Sequence, residues 1–401
     1  MRPQIYASKS IEKYFQREMN KRFVKSELNI KCVPSGIIAL GKTNYCFGVF
    51  DKDGSFVKES LSLREGKGQI TPTASDIINP SYFDYDVVYL GNLRPSFGHF
   101  LLEHWDRTYA FLDEKYKDMK FVLVNDYPVE SIPNFVTELA RLLGMNAENL
   151  VLLNETSKFR NVYVPQQGYR MSEFSSKEFG EIYTKTADNV KKSFNFDKVY
   201  VSRSALKRRK TYGEEKVQRI FEKNGYHIIY PEQIPLEEQI ALMKNCKSLA
   251  GCAGTALHLS LFMQSGANVI QIKRNKKKSD NCGAQYLITQ TKGQNLVLID
   301  ASIEKYKTGH FDDYAQIIGV NNYLKKFFDD NGFKYSSEDI EFDKEAYDEY
   351  IQADKKIKAE LGKSKLELWL LRRIVKWTSA FIPNRTSRKK FRGRLERFFG
   401  I

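Results

Sequence analysis

A histidine and a glutamate lie four residues apart in one predicted helix. His99 follows the turn NLRPSFG, and Glu103 falls one helical turn later on the same face. A histidine and a carboxylate in this relation suit general base catalysis on a hydroxyl group. Either side chain could accept the proton while the other orients it. In the structural alternative, His99 caps the helix and Glu103 pairs with Arg107.

A basic loop follows a second predicted strand, KVYVSRS. Ser202 and Arg203 close this strand, and a basic run that includes Lys207 and Arg209 comes next. Ligands of an open parallel sheet bind at the carboxyl ends of its strands. A planar guanidinium can bond a phosphate through two nitrogens. The loop therefore predicts a phosphate or diphosphate site, against the alternative of a solvated basic surface.

A strand, a glycine turn and a helix occur in that order in the segment AGCAGTALHLSLF. Gly254 would allow close backbone approach, and Thr255 could cap the helix or bond a phosphate. The free N–H groups at such a helix start attract anions. His258 lies one turn further on and is either a ligand or a core histidine.

The elements that must position these residues alternate between short apolar strands and helices. Such alternation predicts parallel sheets, here in two Rossmann-like halves that face a cleft. The first half would span residues 1–190 and start with a small β-rich segment, and the second would span 195–315. A helical region, 316–360, would pack on the body. We expect the site of a two-domain transferase in the cleft.

The charge of the chain is concentrated at one end. The 401 residues contain 64 Lys and Arg against 49 Asp and Glu, a net charge of +15. Residues 361–401 contribute twelve basic and two acidic residues, so they account for +10 of it. The helix predicted within this tail is apolar at regular intervals: Leu366, Trp369, Leu370, Ile374, Trp377 and Phe381. Basic segments with aromatic residues lie in membrane interfaces, although such a helix could also pack across the two domains.

Metal binding, disulfides and membrane spans are not predicted. The five cysteines have no zinc-ligand spacing, which indicates reduced thiols in a cytoplasmic protein. The carboxylate pairs Asp51–Asp53 and Asp84–Asp86 fall in a hairpin turn and before a strand, the wrong places for a metal on a diphosphate. The sequence has neither a secretory signal at its start nor an apolar run of about 18 residues.

The order of these motifs resembles glycosyltransferase family 61, which includes bacterial capsular polysaccharide transferases. The similarity rests on GHFLLEHWDR, then VYVSRS with a later RR and E, then PLEEQIALMKNCKSLAGCAGTALHLSLF and VIQI, over roughly residues 35–275. The resemblance implies a GT-B-like fold, a nucleotide-sugar donor, inversion at the anomeric carbon and no obligatory metal.

The family's motif residues fall on particular positions of this chain. The residues that correspond to its histidine, acid and later arginine are His99, Glu103 and Arg107, and further matches are Ser202, Arg203, Arg209, Glu238 and Gln239. Where the family has asparagine before Glu214, this chain has Gly213, and a later family histidine and asparagine are replaced by Ala253 and Leu259.

Together these features predict an inverting, metal-independent glycosyltransferase in cell-surface polysaccharide synthesis. The donor would be a nucleotide-diphosphate sugar, with a UDP-sugar expected, and no cofactor would be needed. The acceptor would be a saccharide, free or lipid-linked, and Asp106 and Arg107 would bind it or support its site. The tail would hold the protein on the inner face of the cytoplasmic membrane. The alternatives are a non-catalytic carbohydrate-binding protein and a nucleic-acid-binding protein that uses the tail.

Overall fold

The structure is a computed structural model. It describes residues 2–25, 27–64, 67–127, 129–171, 173–206, 210–274, 282–303 and 316–380. The predicted donor-binding residues Lys207 and Arg209 and the tail beyond residue 380 lie outside these ranges.

The β-strands of the described residues are numbered in chain order. They are β1 Gln4–Tyr6, β2 Phe23–Lys25, β3 Ile30–Pro34, β4 Ile37–Leu40, β5 Phe47–Phe50, β6 Leu63–Arg64, β7 Lys67–Gly68, β8 Ser81–Asn92, β9 Lys120–Val124, β10 Leu150–Leu153, β11 Ser157–Pro165, β12 Tyr169–Arg170, β13 Phe174–Ser176, β14 Lys198–Val201, β15 Thr211–Tyr212, β16 His227–Ile229, β17 Ser248–Cys252, β18 Asn268–Lys273, β19 Asn295–Asp300 and β20 Gln316–Ile317.

The α-helices are numbered in the same way. They are α1 Lys9–Asn20, α2 Phe97–His99, α3 Asn134–Leu143, α4 Lys177–Asn189, α5 Glu214–Lys223, α6 Leu236–Lys244, α7 Cys282–Thr291, α8 Asn322–Asp330, α9 Ser337–Ile340 and α10 Lys344–Ala380. Shorter π and 3-10 turns connect several of them.

One sheet contains parallel strands only, in the order β1-β19-β18-β17-β14-β16. Val201 at the end of β14 pairs with Gly251, and Cys252 at the end of β17 pairs with Ile272. The carboxyl ends of β14, β17 and β18 therefore lie side by side, as the sequence predicts. The strand Gln4–Tyr6 pairs with β19, so the start of the chain joins this sheet.

The other large sheet has the order β10-β9-β8-β11-β4-β5, with β3 also paired to β11. We call it the first sheet, because its strands come from the first half of the chain. The strands β10, β9, β8 and β11 are parallel, whereas β4 pairs antiparallel with both β11 and β5. The predicted β-rich start and its turn are confirmed, since Gly54 N donates to Asp51 O at 3.1 Å. β8 begins at Ser81, so Asp84 and Asp86 lie inside the strand rather than before it.

The two sheets share one hydrophobic core. The largest cluster of buried side chains includes Val88 and Leu90 of β8 together with Val199 and Val201 of β14. Helices α1, α3, α4, α6 and α7 contribute their apolar faces to the same cluster. In α1 the buried residues Ile11, Phe15 and Met19 recur every four positions and form one stripe, whereas α6 and α7 are buried on more than one face. The chain thus has a mixed α/β fold in which helices pack between two largely parallel sheets.

The long helix predicted after the first glycine turn is not continuous. Only Phe97–His99 is α-helical, and a π turn, Phe100–His104, follows. Two 3-10 turns then cover Thr108–Leu112 and Glu114–Tyr116. The helix predicted at 255–264 is likewise a 3-10 segment, Thr255–Phe262.

A tertiary hydrogen bond accounts for the π turn. The hydroxyl of Tyr183, on α4, donates to the carbonyl of Leu101. In a regular helix that carbonyl would accept from Trp105 N, which instead donates to Phe100 O at 2.9 Å. Because the competing donor comes from a distant helix, local periodicity gave no sign of it.

The region after residue 316 packs on the parallel sheet and ends in α10. Tyr350 of α10 is buried against Ile317 of β20. Further along α10, Trp369 and Trp377 are 49% and 73% exposed. Within the described ranges, no helix is long and apolar enough to cross a membrane.

Candidate active site

His99, the last residue of α2, and Glu103, in the π turn that follows, form a hydrogen-bonded pair. His99 Nδ1 lies 2.6 Å from Glu103 Oε2. The Glu103 side chain is only 9% exposed, whereas that of His99 is 36% exposed. An ionised carboxylate accepts the hydrogen of Nδ1 and thereby fixes the tautomer that has a lone pair on Nε2. Glu103 is therefore placed to orient the imidazole of His99, and that imidazole is accessible to solvent.

Asp106 and Arg107 form hydrogen bonds with backbone groups of other segments. The Asp106 carboxylate accepts from the backbone N–H of Gly168 at 2.9 Å. Arg107 is fully buried, and its Nη2 donates to the carbonyl of Leu61 at 2.7 Å. The predicted alternative in which Glu103 serves only as the partner of Arg107 is not supported, because the carboxylate bonds the histidine.

Arg203 lies against the glycine turn of the neighbouring strand. It follows β14, and Gly254 follows β17, two strands that pair in parallel. A Cβ on Gly254 would lie 3.0 Å from Arg203 Nη1, so the absence of a side chain allows the guanidinium to approach the turn. The sequence placed both groups at carboxyl strand ends, and the sheet brings them into contact.

The turn at Gly98 and the turn at Gly254 are in direct contact. A Cβ on Gly98 would lie 2.6 Å from Thr255 Oγ1 and 2.7 Å from its Cγ2. Gly98 immediately precedes His99, and Thr255 immediately follows Gly254. The structure therefore brings the segments that contain the predicted base and the predicted anion site into contact.

His258 is buried beside the pair rather than exposed in the cleft. It is 8% exposed, and its Nδ1 lies 3.4 Å from Gln285 Oε1. Burial lowers the pKa of His258 to about 4, with smaller effects from Gln285, His99 and Glu103. At neutral pH His258 is therefore uncharged. Because Gln285 Oε1 can only accept, the single N–H of the ring lies on Nδ1, and Nε2 is left as an acceptor.

A family match agrees with this arrangement. Residues 97–270 match the family model of Glycosyltransferase 61. The matched segment starts at the turn that precedes His99 and ends in β18, so it includes Arg203 and the turn at Gly254. No curated protein matches the chain.

The Glycosyltransferase 61 match confirms the resemblance over this part of the chain and supports a glycosyltransferase. The match is shorter than half of the chain. The first sheet's β-rich start and the region after residue 270 lie outside it.

Two buried groups support Arg203 within the matched segment. Ser202 Oγ donates to Gln218 Oε1 at 2.5 Å, which fixes the end of β14. The carboxyl group of Glu214 accepts from Arg203 N and from the hydroxyl of Tyr200, both at 3.2 Å. Burial raises the pKa of Glu214 to about 7, and its bond to Arg203 N opposes this shift.

Arg274 is a site residue that the sequence analysis missed. It directly follows β18, is 7% exposed, and donates from Nε to the carbonyl of Ala253 at 2.7 Å. A second guanidinium therefore borders the turn that contains Gly254. The sequence contains a signal for it: Arg274 comes at the end of the apolar run NVIQIKR, just as Arg203 comes near the end of KVYVSRS.

Glu238 has a different environment from the other predicted donor-binding residues. It lies in the first turn of α6, and its carboxylate forms an ion pair with Lys192. Its neighbour Gln239 donates to the carbonyls of Pro231 and Ile234, both at 2.7 Å. These contacts connect α6 to neighbouring segments rather than to the turn at Gly254.

The carboxylate pairs weighed for metal binding have protein partners. Asp84 accepts from Arg160 Nε at 3.1 Å, and Asp86 accepts from Asn161 Nδ2 at 2.9 Å. Asp51 accepts from the backbone of its own turn. Within the described ranges, no group of three or more metal-ligating side chains occurs.

Proposed function

We propose that this protein is an inverting glycosyltransferase that transfers a sugar from a nucleotide-sugar donor to a saccharide hydroxyl. The observation that carries the proposal is the contact between the Gly98 turn and Thr255, which joins a histidine–glutamate pair to a cationic strand-end site. The Glycosyltransferase 61 match supports the same activity. We further propose a GT-B-like arrangement, with residues 1–190 on the acceptor side and 195–315 on the donor side.

In the proposed reaction His99 is the base and Glu103 orients it. The acceptor hydroxyl gives its proton to His99 Nε2, and its oxygen forms a bond to the anomeric carbon. The bond between that carbon and the diphosphate oxygen breaks, and its electron pair leaves with the nucleotide diphosphate. One displacement of this kind inverts the anomeric configuration.

The departing diphosphate would be stabilised by cations and backbone N–H groups. Arg203 and Arg274 both border the Gly254 turn, and a guanidinium can form two parallel bonds to a phosphate. Charge stabilisation of this type is often the largest contribution to catalysis. The proposed mechanism includes no metal, and Nε2 of the neutral His258 would accept a hydrogen bond from a hydroxyl group of the donor.

Substitution of the pair tests the mechanism. We expect His99→Ala and Glu103→Gln each to lower the transfer rate by at least 100-fold, because general base catalysis contributes about 10²–10⁴-fold. Both variants should retain donor binding, measured as the rise in melting temperature with UDP-, GDP-, CMP- or TDP-sugars.

The matched controls are His227→Ala and Glu222→Gln, at exposed positions away from the pair. They should transfer sugar at the wild-type rate. Near-normal turnover by correctly folded His99→Ala and Glu103→Gln would refute the assignment of the base. Absence of any nucleotide-sugar binding by the wild type would refute the function itself.

We also propose that the enzyme acts at a membrane surface, in the synthesis of a capsular or other cell-surface polysaccharide. The exposed part of α10 presents Trp369, Leu370, Ile374 and Trp377 beside Arg373, whose guanidinium lies 4.2 Å from the Trp369 ring. Apolar and cationic groups on one helix favour the interface of an anionic bilayer. The place of action would be the inner face of a bacterial cytoplasmic membrane.

A further inference from the structure

Two tyrosines and an arginine form an exposed cluster at the carboxyl ends of the first sheet's strands. Arg94 follows β8, Tyr127 follows β9, and Tyr45 lies in the turn between β4 and β5. The Arg94 guanidinium carbon lies 4.3 Å from the centre of the Tyr45 ring and 6.0 Å from that of Tyr127. We call these three residues the tyrosine–arginine cluster.

The cluster is held in place at an energetic cost. Tyr45 has a φ of +63°, a left-handed conformation that a bulky residue rarely adopts, and its side chain is 40% exposed. Asp126 Oδ2 accepts from Tyr45 N at 3.1 Å, and Ile70 N donates to Tyr45 O at 2.6 Å. Strained backbone conformations of this kind cluster at functional sites, and here the strain accompanies an exposed aromatic ring.

The charge of Arg94 is available to a ligand. Its close contacts are with the two rings, and the oxygens of the nearby Asp126 accept from Tyr45 N and from Asn92 Nδ2, the latter at 3.0 Å. Burial also raises the pKa of Asp126, with Asn92 and Arg94 opposing the shift. The cluster therefore combines two aromatic rings with a positive charge that the nearby Asp126 carboxyl group offsets only in part.

The cluster is connected to the candidate base through a short loop. Arg94 is in the loop that leads from β8 directly into α2, which ends at His99. Its charge also acts on the buried His104, the residue after Glu103. Arg94 and Tyr127 follow strands of the first sheet, whereas the arginines that border the Gly254 turn follow strands of the parallel sheet.

We propose that the tyrosine–arginine cluster is the acceptor subsite and binds an acidic saccharide, a pyranose that carries a carboxylate. The proposal rests on the transferase function proposed above. The sugar's C–H face packs on Tyr45 or Tyr127, since aromatic rings supply flat apolar area with little loss of side-chain freedom. Its carboxylate accepts two hydrogen bonds from Arg94 in the planar geometry that guanidinium favours.

A glycan array that contains uronic acid saccharides and their neutral counterparts tests the proposal. The purified full-length protein should bind the uronic acid saccharides in preference to the neutral ones. Arg94→Gln and Tyr127→Ala should weaken this binding about tenfold or more, because a hydrogen bond to a charged group contributes about 1.5–3 kcal/mol. Tyr45→Gly removes the ring while it relieves the left-handed backbone, so it should fold normally and show the same loss.

The control is Tyr82→Ala, a tyrosine that is 58% exposed near the start of β8, at the opposite end of the strand from Arg94. It should bind as the wild type does. Equal binding of neutral and acidic saccharides, or unchanged binding by the three cluster variants, would overturn the proposal. Melting temperatures with UDP-sugars separate this outcome from failure of the proposed function, since donor binding should be the same in all variants.

Discussion

At the scale of single residues, a buried carboxyl group supports the predicted donor-binding residue Arg203. Glu214 is fully buried and bonds the backbone N–H of Arg203, so it positions the guanidinium through the strand end. Glutamine has the same shape and can accept the same hydrogen bond. The Glu214→Gln variant should therefore leave Arg203 in place and change mainly the response of stability to pH.

The sign of that response follows from the pKa of Glu214, which burial raises to about 7. Between the ordinary glutamate pKa of about 4.3 and about 7, the folded state binds more protons than the unfolded state, so this group's contribution to stability is lost as the pH rises. Glu214→Gln has no such loss. We expect its free energy of unfolding to exceed that of the wild type by about 1 kcal/mol at pH 5 and by on the order of 3–4 kcal/mol at pH 8.5.

Urea unfolding of both proteins at pH 5 and pH 8.5 measures the difference. The other titrating groups, including Asp106, are common to both proteins and cancel in the comparison. Glu222→Gln, an exposed change on the same helix, should run parallel to the wild type at both pH values. Parallel curves for Glu214→Gln would mean that the buried carboxyl group is already ionised in the folded protein.

At the scale of elements, the geometry of the candidate site depends on direct contact between two short segments. The helix α2 and the 3-10 segment Thr255–Phe262 come from opposite halves of the matched region, and they touch at Gly98 and Thr255. A side chain at residue 98 has no room because its Cβ would overlap the threonine. The glycine thus sets the separation between His99 and the donor site.

The Gly98→Ala substitution should force these segments apart. We expect a loss of about 100-fold in transfer rate, since a displacement of 1 Å at a reacting centre can have an effect of this size. Thr255→Gly removes the overlapping atoms, so the double variant should be no slower than Thr255→Gly alone. The rates of the four proteins form a double-mutant cycle, and melting temperatures confirm that each is folded. Additive losses in the cycle would show that the contact does not control the geometry.

At the scale of the whole molecule, most of the net positive charge lies at one end of the chain, and the body carries the smaller part. Residues 361–401 account for +10 of the net charge of +15, and the described part of this region extends α10 with exposed tryptophans. The earlier part of α10 is fixed to the body through Tyr350. The helix therefore connects the body of the protein to a segment with exposed aromatic and basic side chains.

Vesicle flotation tests the membrane association of this surface. The full chain should float with vesicles that contain anionic phosphatidylglycerol and much less with neutral phosphatidylcholine, because each basic residue near an anionic surface contributes about 1 kcal/mol. Removal of residues 361–401 should abolish flotation, and the double change Trp369→Ala with Trp377→Ala should weaken it.

Phe342→Ala, an exposed aromatic residue outside α10, is the matched control and should float as the wild type does. High salt should release the protein, since it screens the attraction between basic side chains and lipid headgroups. Equal flotation of the full and shortened chains would place the membrane contact elsewhere or exclude it.

Much of the fold and part of the site follow from sequence. Apolar runs of four to six residues between helical segments predict the parallel strands, because strands buried on both faces have no polar alternation. Residues that directly follow such strands, Arg203 and Gly254, are placed correctly for the same reason. The spacing of His99 and Glu103 predicts their contact, which is confirmed at 2.6 Å.

Only the tertiary structure decides which distant segments meet. The contact between Gly98 and Thr255, the pairing of Gln4–Tyr6 with β19, the cluster of Tyr45, Arg94 and Tyr127, and the ion pair of Glu238 with Lys192 all join residues far apart in the chain. The spacing of apolar residues indicates whether a side chain is buried, but it does not identify the residue that this side chain contacts. That contact depends on how whole sheets and helices pack. The π turn shows the same limit locally, where a hydroxyl from α4 takes a carbonyl that the helix would otherwise use. The sequence thus determined the elements and the chemistry at their ends, and the packing of the two sheets on one core combined that chemistry into one site.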